Sequence, residues 1–389
     1  MSNTGNMIQT VAVSWLMYRM TDSSLMVGLL FFLKQLMMFI MSPIAGSLAD
    51  SYKRRHILLA TTITSGLLGV GLGVLTLAEL ATPMLLLLYQ TLDGISMGVD
   101  MTTRQAFIKD MVRGKSFIAN AIALNSLLFN IARITGPILA GFIIAYFPGY
   151  LGEGICFTFN GLSFFSVTVA LLLMKGLRQE VNQLKMKLVE NIRAGIRYTR
   201  KHERINDLIY FTAALGLFGF PITVLLPDFS SQILNGGAQE LGSLTTTIGI
   251  GAVVGGIILA TRKNFDTYQL LVITAPYIYG GAILSLYFVS NFHIAAMLFF
   301  LVGLGQALIF ASANSIIQLL ADVSMVGRTV SLYIMLFMGA TTVGSLLAGK
   351  LAELIGTGPT FFFCGVGCVL SVAGYTLKSK LSMKEVVVR

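Results

Sequence analysis

Gly46-Ser47-Leu48-Ala49-Asp50-Ser51-Tyr52-Lys53-Arg54-Arg55 is a short charged hairpin between two long apolar runs, residues 24–48 and 57–79. Each run is long enough for a helix to cross the roughly 30 Å hydrocarbon core of a bilayer, which takes about 20 residues. A charged connection between two such runs must sit at a membrane face. One acid at the end of a helix followed by three basic residues in a tight turn suits a latch between membrane helices better than a catalytic centre.

The composition agrees. The 389 residues are 55% hydrophobic and only 11% charged, which excludes a water-soluble domain of ordinary make-up. At about 20 residues per span with short turns, this length holds about twelve transmembrane helices. The apolar runs are continuous, not alternating, so a β-barrel is excluded. The net charge of +10 does not point to nucleic acid, because the basic residues fall in short loops, the pattern that sets helix orientation. Cys156, Cys364 and Cys368 all lie in apolar segments, so neither disulfides nor a metal site is expected and each reads as a small hydrophobe. No cofactor is implied.

The apolar runs predict spans near 3–20, 24–48, 57–79, 83–106, 117–146 and 152–174, then 205–226, 239–261, 267–289, 293–317, 327–355 and 358–377. No cleavable signal peptide precedes the first span. That span is short and carries Asn3, Asn6 and Gln9 in its first half, which leaves room for a further turn of helix before Met1. With both termini taken as cytoplasmic, 23 of the 27 basic residues fall on the inner side, the exceptions being Arg19, Lys34, Arg133 and Lys350. The outer loops carry Asp22, Glu79, Glu153, Asp228 and Glu240. That asymmetry supports a multi-pass protein with cytoplasmic ends.

The two sets of six match at an offset of 208 residues: Gly136-Pro-Ile-Leu-Ala-Gly141 falls on Gly344-Ser-Leu-Leu-Ala-Gly349, Cys156 on Cys364, and Arg54-Arg55 on Arg262-Lys263. Two parallel six-helix repeats, residues 1–174 and 205–389, joined by a basic linker over 175–204, would place a binding site at mid-membrane between the repeats. Within the linker, Leu184, Leu188, Ile192 and Ile196 recur every four residues with Lys187, Arg193, Arg197 and Arg200 on other faces. That spacing fits an amphipathic helix on an anionic inner leaflet, or equally a solvated basic linker.

Candidate chemistry concentrates in the fourth span. Gln90, Asp93, Met97, Asp100 and Arg104 share one helical face, and Asp93 stands ten residues from the outer end, about 15 Å deep, at the bilayer midplane. Lys34 in the second span lies at the same depth, and Arg133, on a face with Ser126, Asn130 and Pro137, about one turn deeper. A charge at that depth costs at least about 2.5–3.5 kcal/mol on insertion scales, so it faces a cavity or another charge. Two readings stay open. Either Asp93 carries a proton while Arg133 or Lys34 attracts an anionic substrate group or lowers its proton affinity, or Asp93 and one base form a buried structural pair. Asp100 and Arg104 read as an i, i+4 pair, and Lys350 with Glu353 as an outward-snorkelling pair. Gln306, Phe310, Asn314 and Gln318 make a further stripe in the tenth span. Met17, Met37, Met38 and Met41 with Phe31 and Phe32 offer an adaptable apolar surface, although lipid-facing positions or core packing explain most of them. Gly69 with Gly73 and Gly251 with Gly255 are small-residue packing signals.

The run GSLADSYKRRHILL (46–59) resembles the signature loop of major facilitator superfamily transporters, and ARITGPILAGF (132–142) resembles their antiporter motif. TTRQAFIKDMV (102–112) and ITVLLPDFSSQILNGGAQELG (222–242) are similar to the bacterial drug and siderophore exporter branch typified by the enterobactin exporter. This resemblance covers essentially the whole chain. It implies that Gly46 allows close helix approach, that Asp50 caps the eleventh helix, and that Arg54 and Arg55 bind neighbouring inner ends with Asp110 as a partner. An acid at a helix N-terminus contributes about 0.3–1 kcal/mol when exposed, the right size for a switch. The signature departs at Ser51, where a basic residue is usual, and at Lys53, where glycine is usual. The second repeat has Ile258 where Asp50 would recur, so the latch would be one-sided. Gly136, Pro137, Ala140 and Gly141 match the antiporter motif, in which proline bends the helix and small residues admit a neighbour.

The expectation is therefore an all-α major facilitator fold of twelve transmembrane helices in a bacterial cytoplasmic membrane. It would work as a monomer, exporting a small amphipathic molecule, drug or siderophore-like, in exchange for protons. Movement of a lipid or lysophospholipid needs the same fold, and a non-transporting receptor is a more distant alternative because no large soluble domain is present to carry a signal. Enzyme chemistry is not expected, since His56, His202 and His293 sit at span ends and no nucleophile or metal-ligand motif occurs.

Overall fold

Short polar turns set the helix ends in the computed structural model, which describes residues 2–111, 115–174, 188–262, 264–323 and 325–387. Six long helices fill the first part: α1 (Ser2–Thr21), α2 (Ser24–Ser51), α3 (Arg54–Leu77), α4 (Pro83–Met111), α5 (Lys115–Tyr146) and α6 (Leu151–Leu173). A shorter helix, α7 (Leu188–Lys201), precedes α8 (Glu203–Phe218), the single turn α9 (Leu226–Asp228), α10 (Ala238–Ala260), α11 (Phe265–Ser285), α12 (Phe292–Leu320), α13 (Val326–Ile355) and α14 (Thr357–Val387). Capping follows the sequence: the Ser23 side chain accepts from the Met26 N–H at the start of α2, and Asn291 accepts from His293 and Ile294 at the start of α12. Each such cap is worth about 1 kcal/mol. Gly356 ends α13 at a φ of 87°, where a side chain would be strained.

Among the described residues, ten helices are long and apolar enough to cross a membrane. Of the twelve spans expected, α1 and α4 fall below that measure. They are thinned by Asn3, Asn6 and Gln9 in one and by Gln90, Asp93 and Asp100 in the other, so the polar face that carries the candidate chemistry of α4 is also what lowers its hydropathy. The seventh span expected near 205–226 is present as Glu203–Val224, but its helix type changes toward its end. After α8 the chain makes a 3-10 turn over Phe220–Val224, the turn α9, and a π turn over Phe229–Ile233. Pro221 and Pro227 lack the N–H that continues an α-helical ladder, and breaks of this kind occur where a membrane protein lines a cavity or binds.

Contacts divide the chain into two compact units, Met1–Met186 with Asn235–Thr246, and Lys187–Leu234 with Thr247–Arg389. In the first, α3 packs on α6, α2 on α4, and α1 on α5 and α6. In the second, α11 packs on α12 and α14, and α8 on α13 and α14. The 208-residue offset maps α1–α5 onto α8–α13 and α3–α6 onto α11–α14, so the repeat read in the sequence is a repeat of packing. Glycine makes it possible at matched positions. A methyl on Gly136 would meet the α1 backbone 3.1 Å from the Thr4 carbonyl oxygen, and one on Gly344 would come within 2.6 Å of Pro221 Cγ beyond α8. Without a hydrophobic drive between helices in lipid, such close approach is what holds spans together. Gly69 against the Gly161 Cα and Gly251 against the Leu304 N–H, each 2.8 Å from the added methyl, serve the same purpose.

Leu184 lies outside the described residues, as do the side chains of Leu188 and Ile192. The described part of α7 packs on α13 and α8, with Gly195 and Thr199 buried.

Candidate transport site

Gly94 and Gly98 bring α2 and α4 together. A methyl on Gly94 would stand 3.0 Å from the Lys34 Cα, and one on Gly98 would stand 3.0 Å from the Met38 Cα and the Met41 Cβ. This approach delivers Lys34 to Asp93, whose Oδ2 lies 2.8 Å from Lys34 Nζ. Asp93 is 2% exposed and the Lys34 side chain 16%. Oδ2 accepts no directed hydrogen bond from the described residues, and one turn earlier the buried Gln90 Oε1 accepts none either. The pair is held by charge in a medium where charge interactions are strong. Met37, Met38 and Met41 stand at this helix contact through their Cα or Cβ atoms and are half-buried.

Beside the pair runs a buried polar network that the sequence reading missed. Gln9 of α1 donates to the Tyr89 hydroxyl of α4, Asn160 of α6 donates to Gln9 Oε1, and Asn160 reaches Asn6 at 3.5 Å. Gln9, Tyr89 and Asn160 are all buried, so the polar residues that make α1 a poor span are spent inside the bundle. Their signal was present as Asn6 and Gln9 at i, i+3, and the contact glycines were legible as Gly94-Ile95-Ser96-Met97-Gly98, a small-residue motif that begins next to Asp93.

Toward the C-terminal end of α4, Asp100 takes Arg104 through two hydrogen bonds, Nε to Oδ2 at 2.9 Å and Nη2 to Oδ1 at 3.1 Å, and accepts from the Thr61 hydroxyl at 3.2 Å. Arg55 donates to the Leu171 and Leu172 carbonyls at 2.8 and 2.9 Å, capping the C-terminal end of α6, where unpaired carbonyls and the helix dipole favour a cation. Arg54 Nε donates to the Ala49 carbonyl at 3.2 Å, which closes its own hairpin, and Gly46 is half-buried in α2. The side chains of Asp50 and Asp110 lie outside the described residues.

The antiporter-like segment of α5 is built for contact. Gly141 faces Gly242 at the start of α10, where a methyl would lie 3.1 Å from the Gly242 Cα. Near Pro137, whose ring interrupts the backbone ladder, the Ile134 carbonyl accepts from the Thr246 hydroxyl at 3.2 Å. Asn130 and Arg133 are half-buried on the same helix, and Lys34 is the base that meets Asp93. In the second unit, Gln306 and Asn314 are half-buried on α12, and Asn314 Oδ1 is buried without a hydrogen bond. Between them Phe310 meets Phe220 at 4.9 Å and Phe337 at 4.2 Å, so the broken seventh span contributes an aromatic cluster to that stripe. Lys350 and Glu353 are exposed. Arg19 and Glu153, read in the sequence only as orientation markers, form an ion pair at 3.1 Å with Arg19 over the Tyr150 ring.

Residues 1–387 match the model of the transmembrane secretion effector family of major facilitator proteins. The chain belongs to that family. It is 24% identical to the staphyloferrin A transporter of Staphylococcus aureus (strain NCTC 8325 / PS 47) over 387 residues, covering 98% of this chain and 94% of the other. It is likewise 24% identical to the multidrug efflux pump Tap of Mycolicibacterium fortuitum, covering 92% and 88%. Among solved structures it resembles a bacterial homologue of the human lysosomal transporter Spinster, inward-facing and occupied, with a TM-score of 0.75 at 13% identity over 97% of this chain and 95% of that one. A mutant form of the nucleoside transporter NupG gives 0.73 at 12% identity over 97% and 98%. The protein therefore has the all-helical major facilitator fold of a multi-span membrane transporter, and it is not an enzyme.

Proposed function

We infer that the protein exports a small amphipathic molecule, drug or siderophore-like, across a bacterial cytoplasmic membrane by proton antiport and alternating access. The observation that carries this reading is the buried Lys34–Asp93 pair. A purely structural role gains little from such a pair, because desolvation offsets the Coulomb attraction and apolar replacements are often neutral or better. A pair that must open and close has a reason to be charged. Protonation of Asp93 neutralises the acid and releases the Lys34 cation to an anionic group on the substrate, and substrate departure lets the pair reform and expel the proton. The siderophore and multidrug transport named for the relatives supports export of this substrate class, and the α5–α10 glycine contact supports the antiporter-type motif.

In proteoliposomes, a screened drug or siderophore-like compound should move against an imposed proton gradient, and Asp93→Asn should abolish proton movement by the variant molecules that remain folded, counted by size-exclusion chromatography before reconstitution. Substrate flux that ignores collapse of the pH gradient would exclude the coupling.

A further inference from the structure

The α7–α8 elbow of the second unit presents a feature that transport does not use. Projected at about 100° per residue, Arg193, Arg197, Arg200 and Lys201 fall in one stripe about 100° wide, and all four are exposed. No acidic residue lies between Arg193 and Lys201. The opposite stripe is turned inward. Gly195 faces the Arg328 backbone, with an added methyl 3.4 Å from its carbonyl oxygen, and Thr199 is 2% exposed. The Tyr198 hydroxyl accepts from the Asp322 N–H at 2.9 Å, and His202 Nδ1 sits 2.9 Å from the Tyr198 carbonyl oxygen. Thus α7 spends its small and aromatic face on the protein itself and holds its cations outward.

At the end of this stripe lies a cavity of about 310 Å³ lined by His202, Glu203, Arg204, Ile205 and Leu320. It sits where α8 begins and α12 ends, the depth at which spans emerge among lipid headgroups. Ile205 and Leu320 supply an apolar wall, and His202 and Arg204 a polar mouth. Lys378 is shared between Glu203 at 3.6 Å and Asp207 at 2.6 Å and offsets only one of these two acids, so the positive excess of the elbow comes from Arg193, Arg197, Arg200, Lys201 and Arg204.

We propose that this elbow binds an anionic phospholipid, with the phosphate at the cationic rim formed by Arg197, Arg200 and Arg204 and the acyl root against Ile205 and Leu320. The site is independent of the export reading. Purified full-length protein in detergent, titrated with phosphatidylglycerol, phosphatidylcholine or glycerol phosphate and followed by native mass spectrometry, tests it. Phosphatidylglycerol should bind preferentially. Each of Arg197→Gln, Arg200→Gln and Arg204→Gln should weaken its binding about fivefold, and the triple variant roughly a hundredfold, whereas replacing the same three by lysine should retain most of it. Equal binding of phosphatidylcholine, an unaffected triple glutamine variant, or glycerol phosphate binding as tightly as the lipid would overturn the proposal.

Discussion

Lys34 shows why a buried pair tests function and not only structure. Removing one partner strands the other charge and costs about 3–5 kcal/mol, while removing both leaves an apolar contact between α2 and α4. Lys34→Met should therefore lower the thermal unfolding midpoint of the purified protein sharply, and Lys34→Met with Asp93→Leu should restore most of it. Neither variant should exchange protons. A double variant that transports with protons would show the pair to be structural. The buried Gln9–Tyr89–Asn160 network beside it fixes α1 to α4 and α6, because each buried amide left unpaired would cost about 1–3 kcal/mol.

Between elements, the decisive quantity is how closely two backbones approach. A methyl on Gly94 would lie 2.5 Å from the Lys34 carbonyl oxygen, which belongs to backbone and cannot yield, whereas Gly71 on α3 has nothing within 4 Å. Gly94→Val should separate α2 from α4, cost more than the roughly 1–3 kcal/mol typical of overpacking and silence transport. Gly71→Ala should be neutral or gain up to about 1 kcal/mol of helix propensity. Equal melting temperatures for the two variants would refute the packing argument. The same elements show what the sequence could and could not reveal. Span positions were legible because lipid demands long uninterrupted apolar helices, and the repeat because matched glycines serve matched crossings. The change to a 3-10 turn over Phe220–Val224 was hidden, since an apolar run gives the length of a span but not its helix type. The partner of Asp93 was narrowed only to Lys34 or Arg133, because spacing gives depth along a helix but not which neighbour faces it.

For the whole molecule, orientation follows from charge, and it can be measured because the three native thiols are buried, at 0%, 6% and 0% exposure for Cys156, Cys364 and Cys368. A membrane-impermeant maleimide therefore finds little background. Val323 is 97% exposed in the turn between α12 and α13, five residues from Arg328, and Ser290 is exposed just before α12 begins. The 29 residues of α12 span about 43 Å at 1.5 Å per residue, enough to put the two positions on opposite sides of a bilayer. With both termini cytoplasmic, the orientation that the lysine and arginine bias favours, Val323 is expected inside. In intact cells Ser290→Cys should label and Val323→Cys should not, and in inside-out vesicles the pattern should invert. Labelling of Val323→Cys from outside would reverse the orientation, and with it the direction in which a proton gradient drives the Lys34–Asp93 cycle.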